Sequence, residues 1–182
     1  MTHRTILRIA ITLIVVVESA VAWNLLAGDD RVDSIGECLP EGVDPGYEVG
    51  CRVTPPEGLT AAIEAASHEF HVDPWMLTAT IHRESGCDQY ALGSSGEIGL
   101  AQVNPSVWMT TLRRKGIAAR PQELYSVRAN LRAAAFVLHR MHVAADGDVF
   151  GIFRRYNGSG PKARQYAREQ VHYYTTIASS HL

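Results

Sequence analysis

The chain has 182 residues, 46% of them hydrophobic and 20% charged, with a formal net charge of −2. Those values exclude a disordered or collagen-like chain and give no support to nucleic-acid binding through bulk electrostatics. The length suits one ordinary domain plus extra sequence, and three cysteines are too few for a disulfide scaffold.

Residues 1–22 read as an export signal. Arg4 and Arg8 form a positive leader, Ile9 to Val17 is an apolar run, and Ala20-Val21-Ala22 supplies the small-x-small pattern of a cleavage site. The run falls well short of the roughly 20 apolar residues needed to span a bilayer, and Glu18 interrupts any extension of it. The expected mature chain begins near Trp23. The alternative is an uncleaved anchor with Glu18 at the outer interface.

Residues 23–57 read as an acidic lead-in rich in Gly and Pro, without a sustained apolar period. From Asp29 to Asp73 there are 11 acidic residues against two Arg; from Pro74 onward there are 7 against 13 Lys and Arg. Having no apolar face to dock, the lead-in is expected to be dispensable for folding of the body. Cys38 and Cys51 lie within it, and in an oxidising compartment a Cys38–Cys51 bridge is the favoured pairing. Pairing with Cys87, or free thiols, are the alternatives.

Residues 58–182 read as an all-helical body. Leu59, Ala62, Ile63, Ala66 and Phe70 share one helical face. Asp73-Pro74 is an N-cap with proline at the first helical position, opening a second helix through Leu77 and Ile81. Residues 91–104 are glycine-punctuated and have room for a small β-hairpin within 90–103. Leu131, Ala134, Ala135, Leu138 and Met141 make a third stripe, Val149, Ile152 and Phe153 a short helix, and Pro161 opens a last helix carrying Ala163, Tyr166, Ala167, Val171, Tyr174 and Ile177.

Glu84 is the most informative position. It lies seven residues after Leu77 and three after Ile81, on the face the second helix buries. A carboxyl at the end of an apolar face is costly to ionise, so its pKa rises toward what a general acid near neutral pH needs. An isolated helix-terminal Glu would instead bend to solvent. Its company favours the first reading. Glu84-Ser85-Gly86, Gly96-Glu97-Ile98-Gly99-Leu100-Ala101-Gln102-Val103-Asn104-Pro105, Asn130-Leu131, Tyr156-Asn157-Gly158 and Tyr166 follow one another in a recognisable order. Together they resemble the soluble-type lytic transglycosylase domain of the lysozyme-like superfamily, over roughly residues 59–178.

The resemblance implies a mainly α, lysozyme-like fold with a glycine-rich loop or small hairpin beside the active-site cleft. It implies Glu84 as catalytic acid and base, Tyr166 as its orienting partner, and Ser85, Ser94, Gln102, Tyr156 and Asn157 as substrate-binding residues. Gln102 carries both a donor and an acceptor suited to sugar groups, and Tyr156 offers an amphipathic platform. The implied reaction cleaves the β-1,4 bond between N-acetylmuramic acid and N-acetylglucosamine of peptidoglycan to 1,6-anhydromuramyl products. No cofactor or metal is implied. The implied partner is the glycan strand, acted on by a monomer in the periplasm or cell envelope, and the small size resembles enzymes serving secretion, conjugation or pilus machines.

Departures from the family pattern stand out. Gly93 takes a place where the family often has serine, Arg155 replaces a small residue, and Glu97 stands where alanine is usual. Glu97 is thus a candidate second carboxylate, whose presence opens a muramidase reading in which it activates water. A non-catalytic wall-binding component that keeps the groove is the reading from another class. The pairs His68/His71 and His139/His142 lack a third ligand, so metal binding is not expected. Cys87 takes an apolar place in the family pattern and is expected as a buried thiol.

Overall fold

The computed structural model describes residues 46–180. The export segment 1–22 and Cys38 lie outside the described residues. Six α-helices are present among them: α1 (Leu59–Phe70), α2 (Pro74–Glu84), α3 (Pro105–Arg114), α4 (Val127–Ala144), α5 (Val149–Tyr156) and α6 (Gly160–Ser179), with a short 3₁₀ turn at Pro121–Tyr125. No strand is formed in this region; the hairpin anticipated at 90–103 reduces to isolated antiparallel bridges, Leu92 with Ile98 and Ile98 with Val103. Among the described residues no helix is long and apolar enough to cross a membrane.

The long helix α4 is the central post. Leu131, Ala134, Ala135 and Leu138 on it are fully buried, and α1, α2 and α5 pack around it. The alanines let neighbouring backbones come close, while each buried Leu contributes about 1.5–3 kcal/mol of transfer free energy. Helix α2 is buried almost all round, from Met76 to His82. Its polar positions are satisfied locally: the Thr78 and Thr80 hydroxyls donate to the carbonyls of Pro74 and Met76 at 2.8 and 2.9 Å. The Asp73 cap works twice, accepting from Trp75 N at 2.8 Å and from the Tyr174 hydroxyl on α6 at 2.5 Å. One carboxylate therefore starts α2 and ties it to α6.

Helix α3 was not visible as an apolar stripe, since only Met109 and Leu112 on it are buried. What sets it is its start. Asn104 accepts from Ser106 N, and Pro105 occupies the first turn.

Residues 46–57 correct two expectations. They do not stand apart from the body: Tyr47 is 1% exposed, inside the core and edge-on to Trp75. Its carbonyl bonds His82 Nε2 at 2.9 Å, while His82 Nδ1 meets the Tyr173 hydroxyl at 2.7 Å. A carbonyl only accepts, so Nε2 carries the proton and Nδ1 accepts from Tyr173. Burial holds this histidine below its usual pKa, in keeping with the neutral ring. The second correction concerns the disulfide. Cys51 is bonded to Cys87, not to Cys38, and Arg52 N donates to Gly86 O at 3.0 Å beside it. The buried Cys87 is therefore half of a cross-link rather than a thiol. The shorter loop favoured Cys38 on chain entropy alone, but docking of Tyr47 brings Cys51 against the end of α2.

Replacing both Cys51 and Cys87 by Ala is therefore expected to lower the unfolding free energy by about 2–5 kcal/mol. A chain starting at Pro56 also loses Tyr47, a large-to-small core change of about 3–5 kcal/mol. Thermal and denaturant unfolding check both, and an unchanged midpoint for the shortened chain would contradict the packing described.

Candidate active site

Four helices and a loop meet around an open cleft of about 550 Å³, a volume usual for ligand sites. Glu84 enters from the end of α2. The loop 93–104 forms one wall with Gly93, Ser94, Glu97, Gln102, Val103 and Asn104. Arg155, Tyr156, Asn157 and Gly158 at the end of α5 form another, and Val107, Trp108, Val137 and Met141 supply an apolar side.

Glu84 Oε1 accepts a 2.6 Å hydrogen bond from the Tyr166 hydroxyl on α6. Burial pushes the Glu84 carboxyl above its ordinary range; the Tyr166 bond and the Arg83 charge pull it back in part, and the nearby Glu97 charge adds to the rise. Burial, with the Glu84 charge, holds the Tyr166 hydroxyl well above its usual pKa, so it remains a donor. Arg83 makes no ion pair with the carboxyl. It pairs with Glu169 at 2.5 Å, with its guanidinium 5.8 Å from the centre of the Tyr166 ring.

The loop opposite Glu84 is held by Asn130, a buried residue of α4. Its Oδ1 accepts from Ala101 N at 2.9 Å, and its Nδ2 donates to Ile98 O and Leu124 O at 2.8 and 2.7 Å. This side chain adds to the loop's own backbone bridges, Leu92 with Ile98 and Ile98 with Val103. Gly99 makes the close approach possible: its φ is +75°, and a Cβ there would meet Asn130 Nδ2 at 2.4 Å and Leu124 O at 2.6 Å. Asn130 was noticeable in the sequence as the start of a helix; its clamp function was not, because the partners lie about thirty residues away.

The structure sorts the candidate residues. Glu84, Ser94, Glu97, Gln102, Tyr156 and Asn157 share the cleft, and Tyr166 reaches it through Glu84. Ser85 does not line it; it caps α2, with its hydroxyl 3.4 Å from Ile81 O. Gln102 Nε2 already donates to Ala91 O and Gly99 O, so only its oxygen remains to act as an acceptor. The Tyr156 hydroxyl donates to Ala101 O at 2.8 Å, so this residue presents ring surface to the cleft while tying α5 to the loop. Glu97 accepts from Ser95 N and Asn104 Nδ2 at 3.0 and 3.3 Å and forms no ion pair with Arg155. Trp108 and Val107 belong to α3, whose sequence has no apolar stripe to mark it, although the Asn104-Pro105 start does. A Cys51–His82–Cys87 cluster lies close together, but its sulfurs are bonded to each other.

Comparison with known proteins gives this arrangement its context. Residues 61–176 match the family described as the transglycosylase SLT domain. The chain belongs to that family. At the level of curated whole proteins no match is found. Among solved structures the chain is similar to an inactive variant of the lytic transglycosylase Slt from Pseudomonas aeruginosa, with a TM-score of 0.60 and 19% identity over 66% of this chain. That alignment covers 24% of the larger protein, and at this identity it shows the fold: a mainly helical, lysozyme-like SLT domain, as the motifs implied.

A raised carboxyl pKa has a consequence for stability. The folded state favours protonated Glu84, so that contribution is complete below the unfolded carboxylate pKa and is lost as pH rises through the folded value. Glu84→Gln has no charge to bury. Its thermal midpoint is expected to gain on that of the parent chain as pH increases over this window. A difference independent of pH would show that Glu84 is well solvated.

Proposed function

We propose that this SLT domain is a peptidoglycan lytic transglycosylase in which Glu84 alone serves as acid and base. Glu84 in its protonated form gives its proton to the bridging oxygen between N-acetylmuramic acid and N-acetylglucosamine, and the C1–O bond breaks. The muramyl C6 hydroxyl bonds to C1, and its proton passes to the Glu84 carboxylate. No water is consumed, the acid is regenerated, and the product carries a 1,6-anhydro ring. An internal nucleophile removes the need for the second carboxylate of two-carboxylate glycosidases. The observation that carries this reading is the Glu84 carboxyl at the cleft, held by Tyr166 and kept largely out of water.

In this reading residues 1–22 export the chain, and it acts as a monomer on glycan strands in the periplasm or envelope, serving a secretion, conjugation or pilus machine. The basic character of residues 74–182 suits an anionic wall polymer. A second reading rests on Glu97. A carboxylate lining the same cleft is a candidate to activate water, which would make the enzyme a muramidase.

Digestion of purified sacculi, with mass spectrometry of the released muropeptides, separates these. The expected products have 1,6-anhydromuramyl ends, lighter than reducing ends by one water, and Glu84→Gln is expected to lose at least about 100-fold in rate. Mainly reducing-end products, abolished by Glu97→Ala, would establish the muramidase instead. Release of nothing by the parent chain would leave a wall-binding component.

A further inference from the structure

Gly93 lacks a side chain, and the space where one would go is occupied. A Cβ at Gly93 would lie 2.4 Å from Glu97 Oε2 and 2.7 Å from Gln102 Oε1, far inside normal carbon–oxygen contact. Two oxygens therefore converge beside one backbone position on the cleft wall. The Gln102 amide nitrogen is already engaged with Ala91 and Gly99. The Glu97 carboxylate accepts from Ser95 N and Asn104 Nδ2, yet two carboxylate oxygens offer about four lone-pair sites. Neither group has a donor to offer. Toward the cleft these two side chains accept hydrogen bonds and do not give them.

Building on the glycan-cleaving function proposed above, we propose that Glu97 is a substrate-positioning residue. Its carboxylate and Gln102 Oε1 form an acceptor pair beside Gly93 that receives a hydroxyl or acetamido N–H of the glycan. The absent side chain at position 93 is what lets the pair occupy this place. Both oxygens sit at the ends of side chains that can swing aside, while Glu97 Cβ, 3.0 Å from the same point, must give by a few tenths of an ångström, so an added methyl group would disperse the pair.

The test is a double-mutant cycle with Gly93→Ala, Glu97→Ala and the pair combined, assayed by steady-state kinetics on solubilised peptidoglycan strands. A hydrogen bond to a charged group is worth about 1.5–3 kcal/mol, so each single variant is expected to raise KM at least about tenfold. Their kcat should stay within about threefold and their thermal midpoints within about 2 °C. With Glu97 gone only the Gln102 oxygen remains to be displaced, so Gly93→Ala should raise KM by less in the combined variant than it does alone. Glu97→Gln, which keeps one oxygen acceptor, should recover part of the KM loss.

An unchanged KM in Glu97→Ala overturns the proposal, as do additive effects of the two substitutions. A collapse of kcat at constant KM would place Glu97 in the chemical step instead. A loss of thermal midpoint in proportion to activity would make Glu97 a loop tie only. Failure of the underlying function looks different: the parent chain would release no muropeptides, or Glu84→Gln would stay fully active.

Discussion

Glu84 carries a carboxyl removed from most of its water, with the Tyr166 hydroxyl as its one hydrogen-bond partner among the described residues. Much of the surrounding structure keeps those two groups together. Helix α2 is buried along almost its whole length, which fixes the axis on which Glu84 sits. Helix α6 brings Tyr166, and the Asp73–Tyr174 bond joins the far ends of the same two helices. Arg83, next in sequence to the acid, pairs with Glu169 on α6. Exposed pairs of this kind add at most about 1 kcal/mol, and the Arg83 charge, close enough to be felt, only partly offsets the rise that burial imposes on the Glu84 carboxyl.

The opposite wall is a loop, and a loop this close to a site needs ordering by something other than a sheet. Asn130 provides it from the central helix with two hydrogen bonds to the loop, at Ala101 and Ile98, and one to Leu124 of the 3₁₀ turn, and the Tyr156 hydroxyl adds a third tie to the loop through Ala101. The wall thus depends on α4 and α5 for its shape, and those helices belong to the same packed body as α2. Acid, loop and apolar side are set by one core, which is what a site requiring sub-ångström placement needs.

The fold class was readable because the helices that make the core carry strong apolar stripes, with Leu131 to Met141 and Leu59 to Phe70 as examples. Glu84 was readable because it falls on such a stripe. Helix α3 was not, since its burial is limited to Met109 and Leu112 and its sequence is otherwise polar. Trp108 and Val107, which line the cleft, carry no sequence signal apart from that helix. The Cys51–Cys87 bond was one of the open alternatives and not the favoured one, because loop entropy ranks pairs by sequence distance and Tyr47, a lone aromatic in a glycine-rich stretch, gives no periodic sign that it docks. The Gln102 amide has both donors and an acceptor, and the loop's own carbonyls claim the donors. Side-chain chemistry can be listed from a sequence, but which half of an amide faces a ligand depends on neighbours brought together by the fold.

The proposed chemistry requires Glu84 to be protonated where an ordinary carboxyl would be ionised. Carbon-13 NMR titration of the side-chain carboxyls, with Glu84 assigned by comparison with Glu84→Gln, measures this directly. The predicted midpoint lies above the ordinary glutamate value, and it moves higher still in Tyr166→Phe because the lost hydrogen bond had favoured the charged form. A midpoint at or below the ordinary value, unmoved by Tyr166→Phe, would contradict the account.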